Sequence, residues 1–113
     1  MNHISTHVLD TSLGKPAVGV MVRLEKRETD DWLSLGSAQT DSDGRCRQLL
    51  PESSSLPEGW YRLVFDTGAY YAIQHVTGLY PTVEIIFEVR TGESHFHIPL
   101  LLSPNGFTTY RGS

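Results

Sequence analysis

Val18-Gly-Val-Met-Val-Arg-Leu-Glu-Lys26 is the stretch from which the fold is read. Successive side chains of an extended chain alternate between faces, so Val18, Val20, Val22 and Leu24 fall on one side and Met21, Arg23 and Glu25 on the other. One dry face and one wet face mark a half-buried strand of an antiparallel sheet. The same period of two returns in Trp60-Tyr-Arg-Leu-Val-Phe65, which aligns Tyr61, Leu63 and Phe65. It returns again in Thr82-Val-Glu-Ile-Ile-Phe-Glu-Val89, which aligns Val83, Ile85, Phe87 and Val89. Trp32-Leu-Ser-Leu-Gly-Ser-Ala-Gln39 alternates less cleanly and is also taken as a strand. Trp32, Trp60, Phe65 and Phe87 are expected to be packing aromatics. Turn residues punctuate these runs at Leu13-Gly-Lys-Pro16, Asp41-Ser-Asp-Gly44, Pro57-Glu-Gly59 and Pro104-Asn-Gly106, the last a strong tight-turn signal. Strands so closely spaced predict an all-β sandwich. Thr67-Gly-Ala-Tyr-Tyr-Ala-Ile-Gln-His-Val76 departs from the alternation and predicts one short helix before Gly78.

Composition narrows the class. A chain of 113 residues has room for one domain with a modest core, taken here as residues 1–113. Lys and Arg number 9 against 13 Asp and Glu, a formal net charge of -4 that argues against nucleic acid and anionic membranes as partners. No apolar run approaches the length of a membrane span, and the first ten residues do not resemble a signal peptide, so a cytoplasmic protein is expected. The one cysteine, Cys46, has no sequence partner for a disulfide and no nucleophile signature around it. Phosphate-binding glycine loops, Cys-x-x-Cys pairs and Gly-x-Ser-x-Gly elbows are absent, which removes the nucleotide-binding and common serine-hydrolase readings.

Chemistry concentrates in four places. In Ser94-His-Phe-His-Ile-Pro-Leu-Leu-Leu-Ser103, His95 and His97 project from one face of a strand and Phe96 and Ile98 from the other. Leu100, Leu101 and Leu102 run on without a polar break, as in a strand covered on both sides. In Asn2-His-Ile-Ser-Thr-His-Val-Leu-Asp10 an even spacing likewise aligns His3 with His7. Asp43-Gly-Arg-Cys-Arg47 leaves a turn with Arg45 and Arg47 on one face, where a guanidinium fork suits planar carbonyl or anionic groups. Asp41-Ser-Asp-Gly44 lacks most calcium-loop ligands and reads as a turn. His75 in the short helical stretch reads as solvated or capping. The chain closes on Tyr110-Arg-Gly-Ser113, an aromatic, basic and polar cluster where termini usually carry loose filler, which marks the end itself as part of a site.

Four segments in order, His7-Val-Leu-Asp10 with Gly14-Lys-Pro16, Thr40-Asp-Ser-Asp-Gly-Arg45, His95-Phe-His-Ile-Pro-Leu-Leu-Leu-Ser103 and Tyr110-Arg-Gly-Ser113, resemble the 5-hydroxyisourate hydrolases, transthyretin-like enzymes of urate breakdown. The resemblance spans essentially the whole chain. It implies a transthyretin-like sandwich of two four-stranded antiparallel sheets with one short α-helix. It also implies a homotetramer, a dimer of dimers with active sites at the dimer–dimer interface. The residues it implies are His7, His97 and Arg45 as catalytic groups and Tyr110, Arg111, Gly112 and Ser113 as substrate-binding ones, with Arg47 the second choice of arginine. It implies the substrate 5-hydroxyisourate, no cofactor and no metal.

Two rivals stay open on the residues alone. His95 and His97, joined by His7 or His3, could supply three nitrogens to a zinc ion that activates water. The same architecture resembles transthyretin, a carrier of thyroid hormones, and a fold by itself does not choose between enzyme and carrier.

Overall fold

The computed structural model describes residues 2–51 and 53–113. Its strands are β1 (His3–Asp10), β2 (Lys15–Pro16), β3 (Met21–Glu28), β4 (Asp31–Gln39), β5 (Arg45–Cys46), β6 (Gly59–Phe65), β7 (Val83–Val89), β8 (His95–Ser103) and β9 (Gly106–Thr109), with the helix α1 (Thr67–Ile73) between β6 and β7. β4, β3, β6 and β7 form a wholly antiparallel sheet in that order. These are the four strands expected from the period-two stretches. Val22, Leu24, Tyr61, Leu63, Phe65, Val83 and Val89 from this sheet lie in the core with Val20 just before β3, and Ile85 and Phe87 pack against it.

The second sheet runs β2, β1, β8 and β9, with β5 sharing the β2 edge of β1 farther along the strand. It is mixed, and here the antiparallel expectation is corrected: β1 and β8 run parallel from His3↔His95 to Asp10↔Leu102. Alternation fixes which face a side chain takes but not strand direction, and these two strands meet across almost the whole chain, where no turn dictates their sense. Ile4, Val8, Phe96, Ile98, Leu100 and Leu102 face inward and complete the sandwich core. Leu101 points outward and is half-buried in the single chain.

Three aromatic and apolar assignments fail. Val18 is exposed because the turn at Val18–Gly19 precedes the strand, and Trp60, opposite Tyr61 in the pleat, is also exposed. Trp32 packs its ring under the guanidinium of Arg62 on the outer sheet surface instead of in the core. At Pro104–Asn105 the hairpin turns with Ser103 paired to Gly106, so proline and asparagine are its central residues and Gly106 its exit. Helix α1 is capped by Asp66, whose carboxylate accepts from the Ala69 amide. His75 follows it with φ 59° and donates its amide to Ala72 O, the solvated end-of-helix position expected. The helix is tied to the mixed sheet by the Tyr70 hydroxyl, which donates to Asp10 Oδ2 over 2.7 Å. No helix among the described residues is long and apolar enough to cross a membrane.

Candidate active site

The outer face of the mixed sheet is built by register. Ser5 stands beside His97 and His3 beside His95 across the parallel pair, while His7 faces Arg45 across the β1/β5 pair. Arg45 reaches that place through a turn that only glycine fits. Gly44 has φ +78°, its carbonyl accepts from the Val8 amide at 2.7 Å, and a Cβ there would lie 2.4 Å from Val8 O. Asp41 holds the same turn by accepting the amides of Asp43 and Arg45 on one carboxylate oxygen. On the far side of β8, the tail leaves β9 and forms an antiparallel bridge between Gly112 and His97, with the Gly112 amide donating to His97 O at 2.7 Å. Position 112 must also be glycine, because a Cβ would sit 2.6 Å from His97 Cδ2.

The result is an open groove of about 820 Å³ whose walls include His3, Ser5, Arg45, His95, His97 and Ser113. Arg47, Phe96, Arg111 and Gly112 also border it. Of the residues expected at the site, the structure gathers Arg45, His97, Arg111, Gly112 and Ser113 around this one space. His7 stands on the same strand face but is not among the groove's lining residues, and its Nε2 is turned to the carbonyl of Asp43 at 2.9 Å. A carbonyl only accepts, so Nε2 carries the proton and Nδ1 is the nitrogen left with a lone pair when the ring is neutral. Tyr110 is 56% exposed and lies outside the groove lining.

His97 is the focus of the electrostatics. Partial burial, and then the positive charge of Arg45 with His7 and His3, holds its imidazole below the usual histidine range. The ring is therefore neutral at pH 7 and able to take up a proton. Its Nδ1 lies 2.8 Å from the hydroxyl of Ser5, a buried residue that sequence reasoning missed. The only available signal was its place between His3 and His7 on one strand face. Between the two arginines the structure distinguishes clearly. Arg47 is drawn to Asp41 and Asp43, at 3.7 and 3.5 Å. The guanidinium of Arg45 has no hydrogen-bond or ion-pair partner among the described residues, leaving its fork to a ligand.

The remaining polar candidates do not form a site. Cys46 faces the core, and burial pushes its thiol up to about 11, so it is an inert protonated group. No cluster of three His, Cys, Asp or Glu among the described residues is arranged to hold a metal ion.

The family profile described as HIUase/Transthyretin matches residues 4–112. A probable 5-hydroxyisourate hydrolase of Caenorhabditis elegans is 46% identical over 110 residues, covering 97% of this chain and 81% of the relative. The 5-hydroxyisourate hydrolase of Mus musculus is 45% identical over 112 residues, covering 97% and 94%. Among solved structures, Klebsiella pneumoniae 5-hydroxyisourate hydrolase superposes with a TM-score of 0.87 at 38% identity over 100% of both chains. Sea bream transthyretin in complex with thyroxine superposes with 0.89 at 32% identity, covering 96% of this chain and 93% of that one. The fold is thus close both to a 5-hydroxyisourate hydrolase and to a transthyretin.

Proposed function

This chain belongs to the HIUase/transthyretin family, and we propose that within it the chain is a hydrolase that opens the six-membered ring of 5-hydroxyisourate to give 2-oxo-4-hydroxy-4-carboxy-5-ureidoimidazoline. The observation that carries the choice of enzyme over carrier is the groove lining: a neutral His97, an Arg45 guanidinium unpaired among the described residues and the Ser113 end meet in one space. An apolar hormone has no use for that set. Curated relatives at 45–46% identity are named as the hydrolase, whereas the transthyretin match stands at 32%.

The chemistry follows from these groups. Water adds through oxygen to a ring amide carbonyl while a neutral imidazole takes its proton. The carbon–nitrogen bond then breaks, the departing nitrogen receives that proton, and the carbonyl carbon leaves as a carboxylic acid. His97 is positioned for this work, its Nδ1 fixed by Ser5, and His7 presents Nδ1 on the adjoining strand as the second imidazole. Arg45 orients the electron-rich ring and stabilises the oxyanion, an effect worth roughly 3 to 4 kcal/mol where such donors are lost elsewhere. Ser113, and Tyr110 once the groove is closed over, would hydrogen-bond substrate or water.

In this reading the acting unit is the 113-residue domain in a homotetramer, with the site shared between dimers and the protein in the cytoplasm. Its support is that a single chain leaves the groove open, His7 and Tyr110 beside it, and the outward Leu101 only half-covered. Strands β7 and β9 each end a sheet with an edge unpaired among the described residues, where two copies would extend their sheets.

The test is the spectroscopic decay of freshly generated 5-hydroxyisourate with wild-type protein and with His97→Asn. The wild type should accelerate the decay and the variant should lose at least about a hundredfold. Full turnover by a folded His97→Asn protein would remove His97 from the mechanism.

A further inference from the structure

The tail that carries Ser113 into the groove has few anchors. Beyond β9, its one backbone bond to the body among the described residues is the Gly112–His97 bridge, and Tyr110 is exposed. What remains is Arg111. Its Nη1 donates to Glu93 Oε2 at 3.0 Å, its Nη2 donates to the carbonyl of His95 at 3.2 Å, and its guanidinium carbon lies 4.6 Å from the centroid of the Phe96 ring. Both terminal nitrogens and one face are thus committed to the protein. Glu93 is itself held in place. Its Oε1 accepts from the Arg90 amide at 3.3 Å and its own amide donates to Arg90 O at 3.1 Å, so the carboxylate is locked to the turn between β7 and β8.

We infer that Glu93 is a positioning residue for hydrolysis and that Arg111 serves the site by stapling the C-terminal tail to the β7–β8 turn, not by holding the substrate. The inference rests on the hydrolase reading for its activity readout, but the staple itself is independent of it. An exposed ion pair contributes little to global stability. A terminal segment without core contacts, however, is governed by whatever local bonds it has, and losing one shifts its population directly. Geometry makes the effect chemical: the tail bonds to the backbone of His97, so freeing Arg111 frees Gly112 from the residue that acts as base. The hydrogen bond from Arg111 also keeps the Glu93 carboxyl below its ordinary range, so the staple persists through mildly acidic pH.

The test uses the full chain with Glu93→Ala, Glu93→Gln and Arg111→Ala, plus the double variant Glu93→Ala/Arg111→Ala. Hydrogen exchange of the Gly112 amide is read without substrate, and kcat is read with 5-hydroxyisourate. Glu93→Ala should speed Gly112 exchange and lower kcat, each about tenfold, with an unchanged melting temperature. Glu93→Gln keeps one acceptor oxygen, enough for the Arg111 bond but not for the Arg90 amide as well, and should recover part of both losses. In the Glu93→Ala background, Arg111→Ala should cost less than about twofold further, because the two residues act as one unit. Wild-type Gly112 exchange or wild-type kcat in Glu93→Ala overturns the inference. So does a full Arg111→Ala loss in that background, which would put the guanidinium on the substrate. If the wild-type protein fails to hydrolyse 5-hydroxyisourate, the hydrolase reading falls, while Gly112 exchange still decides whether the staple exists.

Discussion

At the scale of single residues, the proposed chemistry depends on one imidazole and its neighbours. The Ser5 hydroxyl fixes which nitrogen of His97 points into the groove. Ser5→Ala should lower kcat by about tenfold, the scale of one hydrogen bond at a reacting group, and leave the melting temperature near wild type. Arg45 depresses the His97 pKa after burial does. Replacing it with Met removes a cation from beside the ring, so protonation of His97 becomes easier and the acid limb of the pH–activity profile should move to higher pH. A limb that stays in place or moves down would show that Arg45 does not act on His97. Arg111, Gly112 and Ser113 stood out in sequence as part of a polar chain end, but even spacing did not separate His97 from His95 or Arg45 from Arg47, and only the family resemblance singled those two out. Ser5 and Glu93 did not stand out, since a serine in a strand and a glutamate in a turn are the ordinary furniture of those places. Only the strand register and the path of the tail give them partners.

At the scale of elements, the wholly antiparallel sheet was legible because each strand carries one dry face. The β1/β8 pairing was not, because its direction is settled by the assembled sandwich and not by any local pattern. The turns matter most for the site. Gly44→Ala would force a Cβ into Val8 O and strain a φ of +78°, so it should destabilise the fold by about 1–3 kcal/mol in denaturant unfolding and displace Arg45. Asp10 joins sheet to helix. Burial opposes its charge, but bonds from Ser12, Tyr70 and Leu13 outweigh that and hold its carboxyl below the usual range. A depressed carboxylate contributes stability that is present above the unfolded-state pKa, about 3.9, and is lost as pH falls through the lower folded value. Asp10→Asn should therefore cost about 1–3 kcal/mol at neutral pH, and its deficit against wild type should shrink as both are taken below pH 4. A deficit that grows on acidification would contradict this.

At the scale of the whole molecule, the open groove and the positions of β7 and β9 at the sheet edges support the proposal that assembly is part of the chemistry. Specific activity should fall when the protein is diluted below its association range, in step with a drop in mass measured by light scattering. Activity that persists in a monomer would show that one chain suffices. The sequence could not supply this level by itself, because nothing in it shows that a single chain leaves the groove open, Leu101 half-buried and Tyr110 exposed. The central claim is that a base on β8 and a stapled C-terminal tail together open the 5-hydroxyisourate ring. The most direct measurement of it is the decay rate of freshly generated 5-hydroxyisourate with the full chain and with a chain ending after Tyr110, both checked for fold and mass. The account predicts marked acceleration by the full chain and its loss on truncation with fold and assembly intact. No acceleration by a folded full-length protein, or undiminished acceleration after truncation, would contradict it.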